Sequence, residues 1–226
     1  MHIDPLSDAK IIESWNKNAA PWTAAVRTGQ IESRQLSTNQ AIVDAVLARW
    51  PRSVLDIGCG EGWLARVLEG HGIHVTGVDV VPGLIERAQR AGAGSFSVAS
   101  YEQIAAGELQ ISVDAVVCNF ALLGKESVDG LFGAIPALLN PGGAFVVQTL
   151  HPVAACGDLP YLDGWRQGSW AGFAAEFSDP PPWYFRTLGS WVSLFADHGL
   201  RLLEVREPLH TKTRQPVSVI FIAQYG

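Results

Sequence analysis

A chain of 226 residues with 48% hydrophobic and 17% charged residues can bury one sizeable core and is too apolar to stay disordered, so one globular domain is expected. Its net charge of −6, with no run of Lys or Arg, excludes the basic footprint of a nucleic-acid binder and favours a small-molecule ligand. Three widely spaced cysteines, Cys59, Cys118 and Cys156, exclude a disulfide framework and a zinc site; with no secretory leader pattern or long apolar run, the reading is a cytoplasmic protein without metal or membrane partner, monomer or homodimer.

In chain order, residues 8–22 and 38–49 have helical spacing, the second with Ile42, Val43, Val46 and Leu47 on one face. Between 51 and 143, short β-branched runs alternate with amphipathic stretches, the signature of a parallel sheet with helices on both faces. Strands are predicted at 53–57, 74–79, 95–99, 113–118 and 144–149. Helices are predicted at 64–69, after Pro82 and at 128–139, the last followed by the turn Asn140-Pro141-Gly142-Gly143. Five strands in this order give a doubly wound sheet. Residues 151–186 are rich in Gly, Pro and aromatics and show no period, which predicts a lid or substrate loop. A helix at 190–198, stopped by Gly199, and strands at 200–206 and 217–223 end the chain.

Glycines at 58, 60 and 62 follow a buried strand, where a tight turn lets a ligand approach the backbone at the strand's carboxyl end. Gly-x-Gly-x-Gly alone does not name that ligand. Asp79, at the end of the next strand, is placed to accept from both hydroxyls of a ribose. Trp63 stands where a dinucleotide enzyme needs Gly or Ala, and Asp56 before the glycines would oppose a phosphate but suit an ammonium group.

The run Val54-Leu55-Asp56-Ile57-Gly58-Cys59-Gly60-Glu61-Gly62 resembles the first motif of class I S-adenosylmethionine-dependent methyltransferases. Asp79, residues 113–120 and Leu138-Leu139-Asn140-Pro141-Gly142-Gly143 match the family's later landmarks in order. Tyr184-Phe185-Arg186-Thr187-Leu188, Gly199 and Glu207-Pro208 resemble the small-molecule, ubiquinone-biosynthesis branch. The resemblance implies an α/β fold with a mostly parallel seven-stranded sheet. It also implies one domain: a helical cap over the cofactor (1–37), a cofactor-binding core (38–150), a substrate lid (151–188) and a C-terminal helix and strands (189–226).

It further implies that Gly58, Cys59 and Gly60 approach the methionine part of S-adenosylmethionine, with Asp56 at the loop's base. Asp79 would hold the ribose and Val80 pack on the adenine, which Ala99, Ser100 and Tyr101 would border. Ser100 replaces a frequent Asp, though its hydroxyl can still accept a hydrogen bond. Asn119 and Phe120 would lie under the sulfonium, and Trp22 and Arg34 in the cap, Arg34 pairing with the cofactor carboxylate. Trp15, Trp183, Tyr184 and Arg186 are expected on the acceptor side, Arg186 favouring an anionic acceptor, and His151 is the candidate base. The alternatives are a cofactor-binding protein without transferase chemistry and a nicotinamide-dependent oxidoreductase.

Overall fold

The computed structural model describes residues 4–173 and 176–225. The elements are α1 (Asp8–Arg27), a π-helical turn (Arg34–Thr38), α2 (Asn39–Leu47), β1 (Ser53–Ile57), α3 (Trp63–Gly70), β2 (His74–Asp79), α4 (Pro82–Ala91), β3 (Ser95–Val98) and α5 (Tyr101–Ala105). There follow β4 (Val113–Asn119), α6 (Glu126–Leu138), β5 (Leu139–Leu150), α7 (Pro152–Cys156), β6 (Gly164–Arg166), β7 (Trp183–Phe185), α8 (Leu188–Asp197), β8 (Leu200–Arg206) and β9 (Ser218–Tyr225).

The expected seven-stranded sheet is present, in the order β3-β2-β1-β4-β5-β9-β8. Strands β1 to β5 run parallel, and β9 is antiparallel to both its neighbours. The chain reverses its lateral progress between β1 and β4, and a ligand crevice forms at such a switch point, outside the carboxyl ends of the strands. Central strands are apolar on both faces because both are covered. On one face Val54, Ala115, Val117, Val146, Ile220 and Ile222 pack under α2 and α3. On the other, Leu55, Val116, Phe145, Val147 and Phe221 pack under α5, α6 and α8, where Phe132 meets Phe145 and Phe195 edge-on at 5.2 and 5.0 Å. Each such fully buried ring contributes roughly 1.5–3 kcal/mol.

Several boundaries depart from the sequence-based expectation. Helix α1 runs past Trp22 to Arg27 in spite of Pro21. Proline removes a single donor, while Ala19 packs on Val81 and Leu84 and holds the helix against α4. Strand β5 begins at Leu139, before the Asn-Pro-Gly-Gly turn, because Leu139 pairs with Val113. Helix α8 starts at Leu188, its Ser190 amide donating to the Thr187 side chain. The aperiodic 151–186 stretch contains α7 and a small antiparallel sheet of β6 and β7. Among the described residues no helix is long and apolar enough to cross a membrane.

Candidate functional site

At the switch point β1 gives way to the glycine loop. The amides of Gly58 and Cys59 donate to the Val78 carbonyl, which ties the loop to β2. Gly58, Gly60 and Gly62 have φ of +75°, +58° and +80°, the left-handed region that only glycine enters at little cost. At Gly58 a side chain would also collide with Ala121, so the loop lies directly against the chain leaving β4.

Asp79 joins the loop to the next strand: the Gly60 amide donates to one of its carboxylate oxygens at 2.9 Å and the Val81 amide to the other at 2.9 Å. Burial raises its carboxyl against these amides, which favour the charge. Glu61 is fully buried and accepts from Arg27 at 2.7 Å and from Arg66 at 2.7 and 2.8 Å, fastening the loop to α1 and α3. Sequence reading passed over Glu61. Its partner Arg27 lies 34 positions away, and no local spacing announces such a pair.

Above the loop lies a cleft. Of the expected residues, Trp15, Trp22, Arg34, Gly58, Cys59, Gly60, Asp79, Val80, Ser100, Tyr101, Asn119 and Phe120 line it. Asp8, Ile11 and Ile12 of α1 and Glu102, none of them singled out from the sequence, also line it, with Leu123 and Gly124, as does Trp63, read from the sequence only as a misfit for a dinucleotide. Tyr101 reaches across, its hydroxyl donating to the Ala121 carbonyl at 3.0 Å, and burial pushes that phenol well up. Ser100 caps α5 by accepting from the Gln103 amide, which leaves its hydroxyl proton and a second lone pair free. Ala99 lies outside the wall, its amide extending the β3 ladder to the Asp79 carbonyl.

Helix α1 roofs the cleft and is fastened along its length. Asp8 accepts from the amides of Lys125 and Ser127 at 2.9 and 2.8 Å, capping α6 from a distant part of the chain. Lys10 and Lys17 both reach Asp179, and Asn18 exchanges hydrogen bonds with the backbone of Ser178. Trp15 and Trp22 meet edge-on at 5.0 Å, and Trp170 backs Trp15 at 5.8 Å. Residues 170 and 178–179 are thus fastened to α1.

Three polar groups around the loop lack partners. Arg34 is 8% exposed, its guanidinium 4.8 Å from the centre of the Trp63 ring and 5.7 Å from that of Trp22, and its Nη2 has no acceptor. Burial pulls it down to about 10. Asp56 lies beneath the loop and outside the cleft wall, with Oδ2 unpartnered; burial, then the nearby Asp79, push its carboxyl up to about 7. Asn119 Oδ1, at the end of β4, is the third. Phe120 follows at φ +55°, an unusual conformation for an aromatic residue, held by its amide donating to the Gln148 carbonyl at 2.7 Å.

Of the residues expected on the acceptor side, Trp15 lines this cleft, and Trp183, Tyr184, Arg186 and His151 do not. Arg186 donates to the carbonyls of Gly124 and Lys125 and to Asp129 while lying over Tyr184 and Trp191, so it pins the chain after β4. Tyr184 assists, its amide donating to the Leu123 carbonyl. Both face a separate, more open depression. Trp183 stacks with Arg166 and Phe185. His151, 4% exposed at the end of β5, shares a hydrogen bond of 2.8 Å between Nε2 and Glu207, and its Nδ1 has no partner.

A family model described as a methyltransferase domain matches residues 32–205. An uncharacterized methyltransferase of Mycobacterium tuberculosis is 31% identical over 161 residues, covering 67% of this chain and 81% of that protein. A ubiquinone biosynthesis O-methyltransferase of Xylella fastidiosa is 35% identical over 107 residues, 45% of this chain and 43% of that protein. Among solved structures, an S-adenosylmethionine-dependent methyltransferase of Mesorhizobium loti superposes with a TM-score of 0.61 at 24% identity, over 80% of this chain and 95% of that one. Neither the non-catalytic binder nor the nicotinamide enzyme is favoured by these matches. Sheet order, glycine loop and family match agree, and the chain belongs to the class I S-adenosylmethionine-dependent methyltransferases.

Proposed function

We propose that this methyltransferase modifies a small protic molecule, with the amino-acid end of the donor held between Arg34 and the Asp56–Asn119 side of the glycine loop. The observation that carries this reading is the buried, stacked and unpartnered guanidinium of Arg34 at the cleft wall, with two unpartnered acceptors, Asp56 Oδ2 and Asn119 Oδ1, at the strand ends below. A zwitterionic ligand end answers them: its carboxylate pairs with Arg34 and its ammonium with Asn119 Oδ1, while Asp56, beneath the loop, acts on it through its field. Asp79 takes the ribose hydroxyls. Val80 flanks the adenine, and Ser100, Tyr101 and Glu102 edge it. A net charge of −6, a roofed cleft and the ubiquinone-pathway name of the Xylella relative support a small acceptor rather than a nucleic acid.

The bound donor supplies an activated methyl group, which moves in line to the acceptor while the S–C bonding pair stays on sulfur. The chain's own task is alignment and exclusion of water. The α1 roof, with Trp15 and Trp22 over the cleft, closes the site, and Phe120 sets the floor. In this reading Glu207 accepts from Nε2–H of His151, which leaves the Nδ1 lone pair as the base for the acceptor's proton.

Calorimetry with S-adenosylhomocysteine and NAD, followed by a screen of phenols, amines and small acids with methyl-labelled donor, tests the reading. Binding of S-adenosylhomocysteine alone and label in a small product are expected; tight NAD binding with no response to S-adenosylhomocysteine overturns it. For the identified acceptor, His151→Ala is expected to lower kcat about 100-fold or more at unchanged donor affinity. Full turnover in that variant removes His151 from the mechanism.

A further inference from the structure

Six buried side-chain atoms among the described residues have no hydrogen-bond partner: Arg34 Nη2, Thr38 Oγ1, Asp56 Oδ2, Asn119 Oδ1, Gln148 Oε1 and His151 Nδ1. Buried polar atoms are nearly always paired, so the placement of the exceptions is informative. Side chains alternate across a strand. Val54, Val117, Val146 and Ile220 pack under α2 and α3, and Asp56, Asn119, Gln148 and Ser218 each lie two positions from one of them. All four therefore lie on that face, at the carboxyl ends of β1, β4 and β5 and the amino end of the antiparallel β9 beside them. Asn119 and Gln148 are register partners, and Gln148 Nε2 donates to Ser218 Oγ at 2.9 Å.

The π-helical turn stands over the same corner. Helix α2 leads down to the start of β1, so its amino end, and the turn before it, lie at the carboxyl edge of the sheet. Arg34 and Thr38 are the two buried residues of that turn. Such turns are rare and concentrate at functional sites. Ser37, between them, donates to the Leu209 carbonyl, which ties the turn to the segment after β8 that also carries Glu207, the partner of His151.

Arg34, Asp56 and Asn119 are accounted for by the donor reading above, on which this inference rests. Thr38, Gln148 and His151 are not: Gln148 is on β5 and His151 follows it, while Thr38 sits in the turn that Ser37 ties to the segment after β8. We infer that Thr38 and Gln148 recognise the methyl acceptor through its O–H or N–H hydrogens, and that they select a protic head group over its methylated form. The carbonyl oxygen of Gln148 can only accept, so the group it fits is a donor. O-methylation removes the hydrogen it reads. The methyl ether then leaves a buried oxygen unpaired, and sites built to pair with a polar hydrogen discriminate strongly against analogues lacking it. The same contacts that hold the acceptor thus help expel the product.

The test titrates phenol and anisole into the 15N-labelled protein, with and without saturating S-adenosylhomocysteine, and follows the indole and backbone amide signals. The parent is expected to bind phenol at least tenfold more tightly than anisole. Thr38→Val and Gln148→Met are each expected to bring that ratio toward one, with anisole affinity and S-adenosylhomocysteine affinity unchanged. Equal affinities in the parent, binding of neither probe, or a ratio unmoved in both variants overturns the inference. Thr38→Val preserves shape and volume, so it decides the matter if the Gln148 variant misfolds. Failure of S-adenosylhomocysteine to bind strikes the donor reading instead, and the ratio measured without it still decides this one.

Discussion

Two arginines, Arg34 and Arg186, are almost equally buried, at 8% and 4% exposure, and each lies over two aromatic rings. Their hydrogen bonding separates them. Arg186 spends its guanidinium on Gly124, Lys125 and Asp129 and belongs to the frame. Arg34 keeps Nη2 unpaired at the wall of the cleft, and the proposed function gives it to the ligand. Both are Arg beside aromatics in the sequence, so residue type and burial leave the role open; partner count decides it.

Substitution should break this symmetry. Arg186→Ala leaves the carbonyls of Gly124 and Lys125 without their donor and frees the chain after β4, and a loss of roughly 2–5 kcal/mol in unfolding free energy is expected from two stranded acceptors and the lost stacking. Denaturant melts check it; a loss below about 1 kcal/mol would place Arg186 with Arg34 among ligand-facing groups.

Asp56 extends the comparison to an acid. Its carboxyl ordinarily titrates at 3.8 and in the fold at about 7, chiefly through burial. The folded state therefore holds the proton more tightly, and stability should fall as pH rises from about 4 to about 7 and level off above. Asp56→Asn is expected to flatten that slope and to be the more stable protein at pH 8, by up to about 4 kcal/mol. A parallel pH profile in parent and variant would show Asp56 paired in solution.

Arg34→Ala is the smallest of the three in unfolding and the most specific in binding. Loss of stacking on Trp63 is offset by removal of an uncompensated buried cation, so the unliganded protein should hold its stability within about 1 kcal/mol. S-adenosylhomocysteine affinity should drop about 10–100-fold, the worth of a charged hydrogen bond. Unchanged calorimetric affinity would return Arg34 to the frame.

The sheet and the glycine loop were legible in the sequence because their causes are local. Buried β-branched runs mark the strands, and Gly58, Gly60 and Gly62 mark a left-handed backbone whose ligand Asp79 and Trp63 narrow. Trp63 was read there only as a misfit for a dinucleotide; in the fold it is the platform under Arg34. What sequence could not give are pairs across long separations. Asp8 with Lys125 and Ser127, Asp179 with Lys10 and Lys17, and Glu61 with Arg27 join segments with no common period. Tyr184 and Arg186 were expected to face an acceptor for the same reason. An aromatic and a cation near a lid look alike whether they hold a ligand or, as here, the backbone at 123–125.

The cap that Asp8 places on α6 gives the roof a built-in clock. First-turn amides of a helix have no partner within it, and those of Lys125 and Ser127 are held by a carboxylate from α1. An opening of α1 wide enough to break the Asp8 contacts would bring these two amides to solvent. Their exchange with deuterium counts the openings of the roof, in a protein that carries no added label.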